Sequence, residues 1–211
     1  KHHYVGLKYL FTQGCIMDFK LLFEEFPTKI IPYDYDTYFA NSDRYVMVTT
    51  NCLTGQAEYL EERKSSERVM DIVRASSSLP YVCKITYVDG IPMLDGGIAD
   101  SIPIEYALNQ GYEKAVVVLT RQRGYRKKEA SHPITRLFYR KYPHLQRAIA
   151  ERNSKYNRTL DLIDKLEAEG KVVVIFPENP VVVGRMETDT TKLSALYEEG
   201  YRVAKNTGFL G

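Results

Sequence analysis

Asp95 closes the apolar run Ile91-Pro92-Met93-Leu94 and is followed at once by Gly96 and Gly97. A carboxylate, with a reference pKa near ~3.9, is a poor base in water. It does proton chemistry only where it is kept dry and within hydrogen-bond reach of its partner. The end of a strand supplies such a place, and two glycines let the backbone turn tightly there. Taken alone, Asp-Gly-Gly is more often an ordinary turn than a site. Asp100 lies close behind, but the Ser101-Ile102-Pro103-Ile104 after it makes it read as a cap for the next helix.

The other chemistry-bearing residues form no constellation. His2 and His3 open the chain, while His132 and His144 stand in its polar, basic middle, which suits solvent-facing positions. Cys15, Cys52 and Cys83 are odd in number, widely spaced and set in apolar or strand-like surroundings. They read as reduced core thiols and point to a cytoplasmic compartment. No CxxC pair or histidine cluster has the spacing of a zinc site, so no metal is expected.

The elements that must position Asp95 are legible around it. Residues 84–88 and 91–94 flank Asp89-Gly90, a strong hairpin signal, so Asp95 falls at the end of the second arm. An earlier hairpin is expected from 44–50 (RYVMVTT), a turn around Gly55, and a return strand at 57–60. Between them Ser65 and Ser66 cap a helix whose Val69, Ile72 and Val73 share a face, and which ends at Ser76-Ser77-Ser78-Leu79-Pro80. Upstream, Phe19, Leu22, Phe23 and Phe26 follow Asp18 at helical spacing, with Pro27 as the expected stop. Downstream, a short helix after Pro103, a buried-type strand at 114–120, a basic loop, helices to Gly170 and a second such strand at 171–176 imply parallel pairing through a crossover. Leu193, Leu196, Tyr197, Tyr201 and Ala204 mark a packing helix over 191–206. The segment 176–184 (FPENPVVVG) reads as a sheet-edge loop, or as the lining of an acyl cleft.

Ser76 to Pro80 (SSSLP), 93–104 (MLDGGIADSIPI) and the strand and turn 46–55 (VMVTTNCLTG), taken in order, resemble the patatin-like phospholipase family. The resemblance runs from about Tyr45 to Arg121, and more loosely over 8–38, where bacterial members look similar. It implies an α/β fold, a three-layer sandwich with a mainly parallel central sheet. It further implies a Ser-Asp dyad in which the aspartate deals with the serine hydroxyl without a histidine. Asp95 is the matching catalytic position, with Gly96 and Gly97 as motif support. No metal or organic cofactor is required, and the implied substrate is a lipid or small ester.

Two departures qualify this. The family usually has asparagine where Ser101 stands. More seriously, none of the thirteen glycines is followed two places later by serine. The nucleophile elbow GxSxG is therefore missing, as is any glycine-rich run before Asp95 for an oxyanion hole, whose donors are worth roughly 3 kcal/mol each. With Lys1-His2-His3-Tyr4 at its start and no initiator Met, the chain is expected to be a single patatin-like domain, 1–211, incomplete at its N-terminus. The parent protein would be an acyl ester hydrolase and this chain inactive alone, with self-association through the sheet surface left uncovered. The alternative is a non-catalytic scaffold or pseudoenzyme that binds lipid, acyl chains or a protein partner.

Composition bounds the partners. At 44% hydrophobic and 12% aromatic, the 211 residues can furnish a core without staples. Lys and Arg number 29 against 27 acidic residues, and a net charge of +2 gives no whole-molecule attraction to nucleic acid or anionic membrane. Locally, Arg121, Arg123, Arg126, Lys127 and Lys128 crowd one segment, with Phe138, Tyr139 and Tyr142 downstream. That mixture could rest the enzyme peripherally on anionic lipid, or be a solvated loop. Nucleic-acid binding is not expected, since no recognised motif accompanies the patch. No apolar run approaches the roughly 20 residues of a membrane-spanning helix.

Overall fold

A computed structural model of the chain describes residues 4–129, 133–184 and 187–207. The chain divides into two compact units. The first unit is Lys1–Ile102 with Ala130–Asn153, the second Pro103–Glu129 with Ser154–Gly211.

In the first unit both expected hairpins form. β1 (Met47–Asn51) pairs with β2 (Ala57–Leu60), and β3 (Thr86–Val88) with β4 (Ile91–Asp95). Asp89 and Gly90 take φ of 52° and 77°, the left-handed pair that a tight hairpin turn demands. β1 also pairs with β4, with Thr49 opposite Asp95, giving the order β2-β1-β4-β3. Every pairing in this sheet is antiparallel, so it is not the mainly parallel sheet that the resemblance implies. Short turns can join only antiparallel neighbours.

Helices cover both faces of this sheet. α3 (Ser66–Ser76) is capped by Ser65, whose hydroxyl accepts from the Arg68 N–H at 3.1 Å. Its buried Ile72 and Ala75 pack with Met47, Val88 and Met93. Successive strand residues face opposite ways, so Leu94 looks to the other side. There Leu94, Cys52 and Ile98 meet Tyr139, Leu145 and Ile149, which follow α5 (Thr135–Phe138) and open α6 (Pro143–Ala168). Each fully buried aliphatic residue here contributes roughly 1.5–3 kcal/mol. The layering of helix, sheet and helix is thus present, built on antiparallel strands.

Ahead of the sheet lie α1 (Leu7–Gln13), a π-helix over Leu21–Ile30 and α2 (Tyr35–Ala40). Asp18 caps as expected, its Oδ1 accepting from the Leu21 N–H at 3.1 Å. Pro27 does not stop the helix. The segment runs on as a π-helix through Ile30, its last wide i→i+5 turn closed by the Ile31 N–H on the Phe26 carbonyl at 2.9 Å. Cys15 and Cys83 face each other on a short antiparallel bridge and are joined as a disulfide, which corrects the expectation of three reduced thiols. Cys52 remains a free, buried thiol.

The corner between β2 and α3 is locked by Glu62. Its Oε1 accepts from the backbone N–H of Arg63, Lys64 and Ser65, and its Oε2 from the Arg68 guanidinium, which also grips Asp89 in the β3–β4 turn. Burial pushes the Glu62 pKa up, but these donors outweigh it and hold it at about 2. A carboxylate depressed below its unfolded value near ~4.3 adds stability above that pH and loses it as pH falls toward the folded value. Glu62→Gln should therefore cost about 1–2 kcal/mol at pH 7. In thermal melts the gap from wild type should narrow between pH 5 and pH 2.

The second unit holds α4 (Ile104–Asn109) and the strands β5 (Ala115–Val118) and β6 (Val172–Ile175). β5 and β6 pair in parallel, as expected of a crossover connection, from Ala115 opposite Val172 to Val118 opposite Ile175. α7 (Thr190–Asn206) forms over the anticipated span, capped by Asp189. It is not the packing helix expected. None of its residues is fully buried, and Tyr197 and Tyr201 are 68% and 61% exposed. Among the described residues no helix is long and apolar enough to cross a membrane.

Candidate functional site

Asp95 is the last residue of β4, half-buried, with its backbone fixed on both sides. Its N–H donates to the Ser78 carbonyl at 2.9 Å, and its carbonyl accepts from the Thr50 hydroxyl at 2.8 Å. Its carboxylate Oδ1 accepts from the Gly97 N–H at 2.6 Å, capping a single 3-10 turn over Gly96–Ile98. Strand and Ser-rich segment thus hold the Asp95 backbone, while the turn bonds its side chain. The hydrogen bond from Gly97 sets the resting orientation of the carboxylate at the end of β4, a central strand of the sheet.

Gly96 and Gly97 open the tight 3-10 turn after β4. Neither has a left-handed φ. A Cβ on Gly96 would lie 2.2 Å from the Val48 carbonyl oxygen and 2.5 Å from its carbon, so Gly96 is what lets the turn lie against β1. A Cβ on Gly97 would come 3.0 Å from Asp95 Oδ1 itself.

Several neighbours of the motif escape sequence reasoning. Arg152, on α6, donates from Nε to the Gly97 carbonyl at 2.7 Å, and the Ser101 hydroxyl donates to the same oxygen at 2.8 Å. The buried Thr50 hydroxyl, besides bonding Asp95, accepts from the Ala99 N–H at 3.2 Å. Asp100 does not cap α4, whose start at Pro103 has no side-chain cap; its Oδ2 accepts from the Tyr59 hydroxyl at 2.6 Å. Tyr59 and Asp100 are 41 positions apart, with no spacing signal to join them.

The serines ahead of Pro80 behave as loop hydrogen-bonders. Ser76 Oγ donates to the Val48 carbonyl, and Ser78 Oγ to that of Arg74. Cys52 is no nucleophile as it stands, since burial pushes its thiol up to about 12. His144 is exposed, while His2, His3 and His132 lie outside the described residues.

In the second unit the basic loop is largely answered by the acidic side of α6. Arg123 forms a two-bond pair with Glu167 at 2.7 and 2.8 Å, and Arg126 reaches Asp161 and Asp164. Arg121 donates to the Val181 carbonyl in the 176–184 segment, which is an irregular loop. The Lys127 backbone exchanges two hydrogen bonds with the Asn157 side chain, and its ammonium lies 3.7 Å from the Tyr156 ring centroid. Charge spent in this way is withheld from a lipid headgroup.

Residues 7–108 match the model of the patatin-like phospholipase family. That stretch of the chain is patatin-like. Residues 142–207 match a domain of unknown function, DUF6363, which takes in α6, β6 and α7 whole. A curated relative, the uncharacterized protein YjjU of Escherichia coli (strain K12), is 42% identical over 52 residues. The match covers 24% of this chain and 15% of YjjU, so the chain aligns with only a small part of that relative.

Proposed function

We propose that this chain supplies the acidic member of a Ser-Asp dyad in a patatin-like lipid acyl hydrolase, with Asp95 in that role. The observation that carries the reading is the clamping of Asp95 at the end of β4, inside the family match. In the proposed reaction a serine hydroxyl from outside these 211 residues attacks an ester carbonyl and passes its proton to Asp95. The leaving alkoxide takes that proton and departs as the alcohol. Water then attacks the acyl-serine as Asp95 takes its proton, and that proton passes to the departing serine oxygen, which frees the acid and restores the hydroxyl. Gly97, through its N–H, and Arg152, through the Gly97 carbonyl, position the carboxylate rather than touch the substrate.

A second reading, a non-catalytic patatin-like scaffold, is favoured by the commitment of the Ser76, Ser78 and Ser101 hydroxyls to backbone carbonyls. Fluorophosphonate labelling and hydrolysis of a short-chain nitrophenyl ester separate the two. The comparison is between this chain and a longer one carrying an upstream Gly-x-Ser-x-Gly. Labelling and turnover only in the longer chain support the dyad; inertness in both supports the scaffold.

Peripheral contact with anionic lipid through Arg121, Arg123, Arg126, Lys127 and Lys128 draws less support from the charge pairing just described than a solvated loop does.

A further inference from the structure

The first unit carries an exposed apolar segment that the dyad does not use. Where the π-helix ends, Ile30 and Ile31 are 52% and 68% exposed side by side. Tyr33, Tyr35, Tyr38, Phe39 and Tyr45 follow as one aromatic cluster. The Tyr33 ring lies 4.9 Å from Tyr35 and 5.9 Å from Tyr38, inclined by 59° and 62°, and Tyr45 stands edge-on to Tyr38. Two adjacent exposed isoleucines, followed within a few residues by clustered tyrosines, are costly in water. They match a bilayer interface, where aliphatic side chains enter the acyl region and tyrosines sit at headgroup level.

The charge of the segment says which lipid. Residues 30–45 carry Asp34, Asp36 and Asp43 against a single cation, Arg44. Arg44 is paired with Glu61, and Arg63 spends its guanidinium on the Asn41 and Asp43 carbonyls. Asp34 accepts from the Thr37 N–H and hydroxyl, which hold its carboxyl below the usual range and therefore ionised. An acidic aromatic surface repels anionic headgroups. It offers the ammonium group of a zwitterionic one both carboxylates and the faces of angled rings.

We propose that residues 30–45 dock the protein on a zwitterionic lipid surface, with Ile30 and Ile31 inserted and the tyrosines at the headgroups. The choice of lipid as partner rests on the acyl-hydrolase reading; the measurement does not. The 211 residues contain no tryptophan, so Ile31→Trp adds an emission for which the wild-type chain is the blank.

With phosphatidylcholine vesicles, Ile31→Trp emission is expected to shift to the blue and to be quenched by brominated acyl chains. Raising salt should leave binding unchanged, and admixed phosphatidylglycerol should weaken it. The double variant Ile30→Asp with Ile31→Asp should lose at least about tenfold in vesicle partitioning with its circular dichroism unchanged. Unquenched emission, binding that grows with anionic lipid and falls with salt, or full binding by the double variant would each overturn the proposal. So would a dimer in sedimentation that buries the tryptophan without lipid. A protein that hydrolyses a soluble ester but ignores vesicles defeats the docking surface alone. A longer chain carrying the upstream serine that binds vesicles yet hydrolyses nothing defeats the hydrolase reading alone.

Discussion

Replacing Asp95 by Asn in a protein that carries the serine should lower kcat/KM for a nitrophenyl ester by about a thousand- to ten-thousand-fold, the scale of a positioned general base. The fold should not notice. Asn is isosteric, its Oδ1 can still accept from the Gly97 N–H, and the backbone bonds to Ser78 and Thr50 are untouched. Melting temperature within a degree or two of wild type, together with collapsed turnover, is the expected pair of results. Retention of full activity would remove Asp95 from the mechanism. Loss of activity with loss of fold would make it a structural turn residue.

Gly96→Ala should give the opposite pattern. The atoms that a new methyl would strike, at 2.2 and 2.5 Å, belong to the Val48 backbone, which cannot yield without disturbing the pairing of β1 with β4. Overpacking against fixed atoms costs about 3 kcal/mol, or roughly 10 °C of melting temperature for a chain of this size. Gly97→Ala is the control. Its nearest contact is the Asp95 carboxylate at 3.0 Å, a side chain that can move, so activity should fall well before stability does. Equal destabilisation by the two variants would contradict the close-packing account.

These contrasts mark what a sequence can and cannot disclose. The Asp89-Gly90 hairpin was legible because the turn demands residues that tolerate φ > 0, and α3 because Ser65 stands where a cap must. Asp95 at a strand end followed from that hairpin. Arg152 did not, since nothing in a helical arginine 55 residues downstream marks it for the Gly97 carbonyl. The Cys15–Cys83 bond was hidden for the same reason, with a separation of 68. Pro27 misled because the stop rule assumes α-helical pitch. The neutralisation of the basic loop did leave a trace. Asp161, Asp164 and Glu167 recur every third residue, an acidic stripe along α6 facing the arginines that it pairs with. The antiparallel sheet was visible hairpin by hairpin, whereas its order depends on the long-range meeting of β1 with β4.

The far layer of the first unit bears on how the protein can be trimmed. The family match ends at residue 108, yet the side chains that cover Cys52, Leu94 and Ile98 come from Tyr139, Leu145 and Ile149. An expression fragment cut to the match would expose that face to water and lose Arg152 from the turn beside Asp95. The smallest piece worth cloning therefore extends at least through Asn153. A premature stop anywhere between 109 and 138 should leave a product that melts lower and is cleared faster, even though it spares every residue of the motif.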